Sequence, residues 1–384
     1  MSTIQFQQVV VAEGVIDLGV GQPNNAILPV DYVRRAAMLQ FGESPEFLQY
    51  GAEWGDGHHR VALGEYLSEA YGTPVAAEQL FSTNGNSQAL EMLCTVMTEP
   101  GDVVIVEEPT YFLAFQMFRD HGLEIRGVPL DAEGLIVETM VDEVAAVRAA
   151  GKRVAFVYTI PAFQNPTGIT MSSQRRRELV AAAADHDVLV VADEVYHLLR
   201  FAPGSMPPPM SAHVDDAPVL SIGTFSKILA PGMRLGWIHG SVERLAALAD
   251  SGLILSGGGL NPVTSSLATA MMRTGWQAEY LDWLRATFAR RSATMITALK
   301  EHMPDWVEYE IPTGGYFVWL RLPAGADGKA LRALANEQGV DLRHGAQFSP
   351  TGALGNHLRL SYAFYDDADI AEGVARLGRA LHRS

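Results

Sequence analysis

The sequence predicts an α/β fold with two parts: a large domain built on a mainly parallel sheet covered by helices, and a smaller α+β C-terminal domain. Four short runs rich in β-branched residues are apolar on both faces, as strands of a doubly covered sheet are. They are residues 103–106, 154–160, 188–192 and 219–223. Amphipathic segments between them, such as residues 172–187 with its Ser cap, predict helices. Strands alternating with helices form parallel sheets.

The chain length predicts more than one domain. At 384 residues the chain exceeds the roughly 250–300 residues at which one hydrophobic core stops growing. We expect residues 46–286 to form the large domain. Residues 287–384 are expected to form the small one, because a long helical pattern leads from about residue 287 into a strand at 314–322. The segment 1–45 is expected to pack on the small domain or on a partner subunit.

Composition and charge exclude several classes of function. The net charge of -16 argues against nucleic-acid binding through a basic surface. The single cysteine, Cys94, excludes an internal disulfide and a cysteine-rich zinc site, and no metal is predicted. The start of the chain lacks the basic and apolar regions of a signal peptide. No apolar stretch approaches the roughly 18 residues of a membrane span, so we expect a cytoplasmic protein without membrane contacts.

The segment 224–237, TFSKILAPGMRLGW, carries the strongest chemical signal. Lys227 follows two small hydroxyl residues, Thr224 and Ser226, and precedes Arg234 by seven positions. A neighbouring cation and burial both favour the neutral form of a lysine amine, and a neutral amine attacks aldehydes. The planar fork of an arginine suits a phosphate. An aldehyde and a phosphate together describe pyridoxal 5′-phosphate (PLP).

This segment resembles the lysine motif of the class I/II aminotransferases, which are fold-type I PLP-dependent transferases. Other motifs follow in the family's order from about Asp17 to Ala363. The stretch PTGGYFVWL, residues 312–320, resembles aminoadipate and kynurenine aminotransferases in particular. The resemblance implies the fold of that family, with Lys227 as the catalytic residue that binds the PLP aldehyde.

Two polar groups follow strands and match family positions around the PLP ring. Asp193 ends the run VLVVAD, where a buried carboxylate is costly unless it meets a cation. A protonated pyridine nitrogen supplies that cation, although a helix N-cap would also explain an aspartate. Asn165 lies in the turn NPTG. The resemblance implies that Asn165 donates to the phenolate oxygen and contacts substrate, and that Tyr196 also binds this oxygen; a plain turn and a half-buried aromatic are the alternatives.

The start of a predicted helix offers a phosphate site. Free N–H groups and the helix dipole favour an anion there, and an ordinary helix start is the alternative. The resemblance implies that Thr224 and Arg234 complete a phosphate cradle with the helix-start residues Gly85, Asn86 and Ser87, where Asn86 departs from the family's Ser or Ala. It also implies that Tyr111 in EEPTYFLAF stacks on the ring, with a core tyrosine as the alternative.

Tyr50 lies in LQYGAEWGDGHHRVAL, which resembles a family element whose tyrosine reaches the phosphate of the other subunit. His59 in this segment replaces the family's usual apolar residue. If Tyr50 acts in the same way, each active site needs two chains. The resemblance therefore implies a homodimer with shared active sites.

The resemblance also implies a substrate site. Arg359 in NHLRLSYA matches the arginine that binds the substrate α-carboxylate, for which a bidentate guanidinium is suited; a surface arginine on an edge strand is the alternative. Gly21 in DLGVGQP is expected to contact substrate. In RHGAQF, His344 replaces the family's usual proline, so the local geometry near the substrate is expected to differ.

The implied function is transfer of the amino group of an L-amino acid to a 2-oxo acid by a ping-pong mechanism. A PLP-dependent β-lyase, decarboxylase or oxidase uses the same residues, and the sequence does not separate these reactions. A remoter alternative is the aminotransferase-like sensor domain of a regulator. Such a protein needs a basic DNA-binding module ahead of this fold, whereas sixteen residues precede Asp17.

Overall fold

The computed structural model describes residues 7–42, 45–215 and 217–382. Its strands are β1 (Ile16–Asp17), β2 (Leu80–Thr83), β3 (Val103–Glu108), β4 (Glu124–Asp131), β5 (Gly134–Leu135), β6 (Val154–Thr159), β7 (Leu189–Asp193), β8 (Val219–Thr224), β9 (Gly236–His239), β10 (Glu308–Tyr309), β11 (Phe317–Arg321), β12 (Val340–Asp341), β13 (Arg343–His344) and β14 (His357–Ser361). Its α-helices are α1 (Val30–Gln40), α2 (Gly57–Tyr71), α3 (Asn86–Met97), α4 (Phe112–Asp120), α5 (Val137–Ala149), α6 (Ser173–Asp185), α7 (Val242–Ala249), α8 (Gly252–Gly257), α9 (Pro262–Arg273), α10 (Trp276–His302), α11 (Gly328–Glu337) and α12 (Asp367–Leu381).

The large sheet has the strand order β2-β9-β8-β7-β6-β3-β4-β5. Strands β8, β7, β6, β3 and β4 run parallel to their neighbours in this order, whereas β9 pairs antiparallel with both β8 and β2. The four predicted runs form β3, β6, β7 and β8. The prediction of a mainly parallel sheet is confirmed.

Both faces of this sheet are covered, as the doubly apolar runs predicted. In β3, Val104 and Val106 contribute to one hydrophobic core, and Val103 and Ile105 contribute to the other. Helices α5 and α6 bury their apolar faces in the second core through residues such as Val144 and Leu179. Burial of that kind is worth about 25 cal/mol per Å² of apolar surface.

Helix boundaries follow the capping chemistry where a capping side chain is present. The hydroxyl of Ser172 accepts a hydrogen bond from the N–H of Arg175 at 3.1 Å, so α6 begins where it was predicted. Helix α10 differs, because it begins at Trp276 rather than near residue 287. The residue before it is Gly275, at φ 79° and without a capping side chain. The predicted boundary after residue 286 thus falls inside α10, and the division into domains stays a prediction.

A second, antiparallel sheet in the C-terminal part has the order β10-β11-β14-β13. The N-terminal strand β1 pairs in parallel with β12, with Ile16 opposite Val340. This pairing ties the beginning of the described chain to the C-terminal part and brings the loop after β1 toward the large sheet. Among the described helices, none is both long and apolar enough to cross a membrane.

Candidate active site

A cavity of about 810 Å³ lies where the parallel strands end. Ligands bind beyond the carboxyl ends of the strands in such sheets. Most of the predicted site residues line this cavity: Gly21, Asn86, Ser87, Tyr111, Asn165, Asp193, Tyr196, Thr224, Lys227, Arg234 and Arg359. These residues come from positions 21 to 359 of the chain, so the fold assembles one site from distant segments.

Lys227 follows β8 and is held in the cavity by the N-terminal loop. Its Nζ donates to the carbonyl of Gly21 at 2.8 Å. Burial and, to a smaller extent, the guanidinium of Arg359 lower the pKa of Lys227 to about 8, while Asp193 opposes the change. At pH 7 about one tenth of this amine is therefore unprotonated and available as a nucleophile or base.

Asp193, the last residue of β7, is buried and accepts two side-chain hydrogen bonds. Tyr158 on the neighbouring strand β6 donates its hydroxyl to Oδ2 at 2.8 Å, and Asn86 donates its amide to Oδ1 at 2.5 Å. Burial raises the pKa of Asp193 to about 6, while the hydrogen bonds from Tyr158 and Asn86 lower it. A carboxylate held in this way suits a protonated ring nitrogen, since an opposite charge favours its ionised form.

The amino end of α3 and Arg234 form a concave, positively polarised corner. Gly85 precedes α3 at φ 87°, and no side chain in the described ranges caps this helix. The first N–H groups of an uncapped helix are left to water or a ligand. A Cβ on Gly85 would stand 3.0 Å from Nη2 of Arg234 and 3.5 Å from the hydroxyl of Thr224, so a side chain at this position would fill the corner.

Arg234 adopts a left-handed conformation at φ 46°, which strains a residue with a side chain and is typical of functional sites. Its Nη2 donates to the carbonyl of Asn84 at 3.0 Å, and its Nη1 donates to that of Pro231 at 3.2 Å. These carbonyl contacts orient the guanidinium beside the helix start without neutralising its charge.

A buried polar network positions the loop that carries Asn165. Gln164 donates through Nε2 to the carboxylate of Glu107 at 3.1 Å and to the carbonyl of Pro109 at 2.6 Å. These bonds connect the loop to the end of β3, which precedes Tyr111. Burial raises the pKa of Tyr111 to about 12, and it raises that of Tyr196 further. Both phenols therefore stay protonated and can donate a hydrogen bond.

Arg359 on β14 is buried, and its contacts leave part of the guanidinium without a partner. Nη1 donates to Oδ1 of Asn165 at 2.9 Å, and Nη2 donates to the carbonyl of Gly19 at 2.7 Å. Nε is buried and finds no acceptor among the described residues. The guanidinium lies 4.2 Å from the ring centre of Phe317. A buried cation without a carboxylate partner is costly, which points to an anionic ligand. Burial lowers the pKa of Arg359 to about 10, so Arg359 stays charged at neutral pH.

Tyr50 is the predicted site residue that the structure leaves away from the cavity, and its side chain is 85% exposed. Gly85 lies at the cavity edge through its contacts with Arg234 and Thr224. Of the departures from the family pattern, His59 is fully buried, and burial lowers its pKa to about 4. His344 occupies β13 and has no place in the cavity wall.

Three residues near the site were missed from the sequence. Tyr158 holds Asp193, and Tyr316 donates its hydroxyl to the carbonyl of Lys227 at 3.2 Å. Arg343 lines the cavity and stands opposite Arg359 in the pairing of β13 with β14. Two sequence signals could have found two of them. Tyr158 is a phenol in an otherwise apolar run, and Arg343 stands next to His344, where the sequence departs from the family pattern.

The side chains present fit PLP. A reactive amine, a buried carboxylate, an uncapped helix start beside an arginine and the donating phenol of Tyr196 lie around one cavity. Each of them matches one functional group of that cofactor: the aldehyde, the ring nitrogen, the phosphate and the phenolate. Within the described ranges, no cluster of His, Cys, Asp and Glu is arranged to hold a metal ion.

Fold and cavity together are those of an enzyme that works with PLP. The family model for aminotransferase class I and II matches residues 13–377, and the chain belongs to this family. Aromatic-amino-acid aminotransferase 1 of Thermococcus litoralis is 33% identical, over 98% of this chain and 90% of that protein. The 2-aminoadipate transaminase of Thermus thermophilus is 32% identical, over 96% of this chain and 90% of that protein.

Solved structures agree. The kynurenine aminotransferase of Pyrococcus horikoshii matches with a TM-score of 0.90 and 32% identity, covering 97% of this chain and 91% of that one. The predicted fold type, PLP cofactor and aminotransferase class are confirmed. The chain is a PLP-dependent aminotransferase of fold type I.

Proposed function

We propose that Lys227 is the catalytic residue of a ping-pong transamination between an L-amino acid and a 2-oxo acid. The observation that carries this proposal is the buried amine of Lys227, whose pKa is lowered to about 8, in the same cavity as Asp193 and Arg359. When bound, PLP withdraws electrons from the bonds at the substrate Cα. The side chains around it supply binding, orientation and proton transfer.

The residues present would hold the cofactor at four places. Asp193 would pair with the ring nitrogen, Asn165 and Tyr196 would donate to the phenolate oxygen, and Tyr111 would stack on the ring. The phosphate lies in the corner formed by five residues: Gly85, Asn86, Ser87, Thr224 and Arg234. The exposed N–H groups of the helix start and the Arg234 guanidinium both favour an anion there.

Lys227 moves the proton. As a neutral amine it would remove the proton from Cα of the amino acid. As an ammonium it would then donate that proton to the bound cofactor. Its contact with the carbonyl of Gly21, at 2.8 Å, keeps the amine at the N-terminal loop, which borders the substrate. A side chain at position 21 would crowd Phe317, because its Cβ would stand 3.2 Å from the ring. The glycine avoids this contact.

Arg359 orients the substrate by binding its α-carboxylate. The guanidinium is buried and is supported by Asn165 and Gly19, so its direction is set before the substrate arrives. Preorganised contacts of this kind lower the entropy that a reaction must lose. Asn165 contributes to both sites, since its Oδ1 accepts from Arg359 and its amide nitrogen remains to donate.

The enzyme acts as a homodimer in which Tyr50 completes the active site of the partner. Support comes from an apolar patch of exposed side chains on α1, α8 and the segment between α1 and α2: Met38, Phe41, Leu48, Tyr50, Leu253 and Leu255. The segment between α1 and α2 meets the residues just after α8 where Gly51 pairs with Gly259. Contiguous exposed apolar surface marks an interaction site, and a second copy of the chain is its proposed occupant.

Mixing two inactive variants tests the shared site. Lys227→Ala lacks the catalytic amine, and Tyr50→Ala lacks the group supplied to the partner. Unfolding and refolding them together in equal amounts gives heterodimers with one native site, so about one quarter of the native activity returns if subunits pair at random. A mixture that stays inactive, while each variant is dimeric by analytical ultracentrifugation, contradicts the shared site.

The amino donor carries a long side chain. The cavity volume of about 810 Å³ is in the upper part of the range of small-molecule sites, and relatives are named for aromatic amino acids, 2-aminoadipate and kynurenine. Comparing kcat/KM for phenylalanine, 2-aminoadipate and alanine tests this. Equal or better turnover of alanine contradicts it.

A cytoplasmic location is also proposed, supported by Cys94, a buried and free thiol; cell fractionation tests it.

The reaction type is tested by a half-reaction. The PLP-loaded protein is mixed with single amino acids in the absence of any 2-oxo acid. Transamination gives one equivalent of 2-oxo acid per active site and then stops, because the cofactor keeps the amino group. Continuous release of ammonia or carbon dioxide instead indicates a lyase, an oxidase or a decarboxylase. Lys227→Ala is the control and gives no product.

A further inference from the structure

Asn86 differs from the family's usual Ser or Ala at the first position of α3, and its side chain points away from the phosphate corner. Its Nδ2 donates to Oδ1 of Asp193 at 2.5 Å. The two residues are 107 positions apart in the chain, so this contact exists only because the fold brings the start of α3 against the end of β7.

The orientation of the Asn86 amide favours an ionised Asp193. A carboxylate is an acceptor only, whereas a protonated carboxyl group also donates. The other amide atom, Oδ1 of Asn86, is buried and finds no donor among the residues that the structure describes. The amide therefore donates to Asp193 while its own carbonyl stays unpaired. This arrangement is more favourable when the acceptor carries a negative charge.

Apart from Asn86, the hydroxyl of Tyr158, the backbone N–H of Val195 and the charge of Lys227 favour the ionised form of Asp193, and burial opposes it. Its other oxygen accepts from Tyr158. Glu107, Tyr111 and Tyr196 are buried acids near it, and Lys227 is the cation that faces it. Burial opposes the ionised form of the Asp193 carboxyl and raises its pKa to about 6. Asn86 and Tyr158 are thus the two side-chain donors that counter burial.

We propose that Asn86 is a positioning residue that keeps the Asp193 carboxylate ionised and turned toward the cofactor's ring nitrogen before the cofactor binds. The proposal rests on the function assigned above to Asp193. It gives the first turn of α3 two tasks. The backbone N–H groups receive the phosphate, and the Asn86 side chain prepares the acceptor of the ring nitrogen on β7.

The test measures binding of pyridoxamine 5′-phosphate to the cofactor-free protein between pH 5 and pH 8.5 by calorimetry. This probe has the ring nitrogen and the phosphate but no aldehyde, so the titration of Lys227 as a nucleophile does not enter. All variants are compared at the same pH values, and the ionisation of the free probe cancels.

The native protein is expected to lose affinity as the pH falls through about 6, where Asp193 takes up a proton. Asn86→Ala removes one charge-assisted donor, so its midpoint moves up by about one pH unit, and its affinity becomes about tenfold weaker than the native affinity below the lower midpoint. Asn86→Asp has the same shape and moves the midpoint further, because two adjacent carboxyl groups share one proton.

Ser87→Ala is the matched control. Ser87 stands next in the same helix turn and belongs to the phosphate corner, so its loss weakens binding at every pH and leaves the midpoint unchanged. Circular dichroism and thermal unfolding check that each variant keeps the fold.

Asp193→Asn distinguishes a failure of the role proposed for Asn86 from a failure of the role proposed for Asp193. If it abolishes the pH dependence while Asn86→Ala and Asn86→Asp keep the native midpoint, the role of Asn86 is wrong and that of Asp193 stands. If Asp193→Asn binds the probe with the native midpoint and affinity, the assignment of Asp193 fails, and the role of Asn86 fails with it.

Discussion

Replacing Lys227 is expected to stabilise the cofactor-free protein at neutral pH. The pKa of Lys227 falls from its ordinary 10.5 to about 8, a difference of 2.5 units, which corresponds to about 3 kcal/mol of unfavourable free energy for the buried ammonium. Lys227→Met removes this cost and also the hydrogen bond to Gly21, which is worth about 1 kcal/mol. The expected net gain in the free energy of unfolding is about 2 kcal/mol.

The pH dependence gives this prediction its sign. Below pH 8 the lysine is protonated in both states, so the native protein carries the full cost. Between pH 8 and 10.5 the unfolded chain binds the proton that the folded protein has lost, and the native stability therefore rises with pH. The advantage of Lys227→Met shrinks across this window. Urea unfolding at pH 7, 8, 9 and 10 measures it, with the exposed Lys329→Met as a control. A variant less stable than the native protein at pH 7, or a difference that is the same at pH 7 and 10, would refute the reasoning.

Three further outcomes are expected. Arg359→Lys, which loses the bidentate fork, lowers kcat/KM about 100-fold with cofactor affinity unchanged; an unaltered kcat/KM speaks against its role. Arg343→Val removes the ion pair in which Nη2 of Arg343 lies 3.2 Å from Oδ2 of Asp17. Its loss releases the N-terminal loop and raises KM about tenfold more than it lowers kcat; equal effects on both would argue for general misfolding. Gly223→Ala places a Cβ 2.2 Å from the ring of Trp237 and destabilises by about 3 kcal/mol, whereas Gly232→Ala, with open space around it, changes the unfolding free energy little.

The residue types of the site were predictable because they lie in short sequence segments. Lys227, Asn165 and Asp193 each follow an apolar run, and the carboxyl ends of parallel strands share one edge of the sheet. Knowing that a residue ends a strand is therefore enough to place it near the cavity. The order of the strands is not required for that step.

Contacts between the segments were not predictable in the same way. The bond from Tyr158 to Asp193 needs β6 and β7 to be neighbours, and the bond from Asn86 needs the start of α3 to face β7. Both depend on strand order and side-chain rotamers. The start of α10 was missed for a different reason. Gly275 precedes it without a capping side chain, so the Ser, Thr, Asp or Asn that usually announces a helix is absent there.

The loop after β1 contacts both the residue proposed to bind the substrate carboxylate and the residue proposed to move the proton. The carbonyl of Gly19 accepts from Arg359, and the carbonyl of Gly21, two residues further, accepts from Lys227. A carboxylate that draws Arg359 toward itself also disturbs the acceptor of Lys227, and thereby changes how tightly the lysine holds its proton. Linkage is reciprocal, so substrate affinity must depend on pH by the same factor as substrate binding shifts the protonation of Lys227. The pH dependence of substrate affinity and the change in Lys227 protonation on substrate binding therefore measure the same coupling free energy. Residues 19–21 of the backbone connect the two side chains.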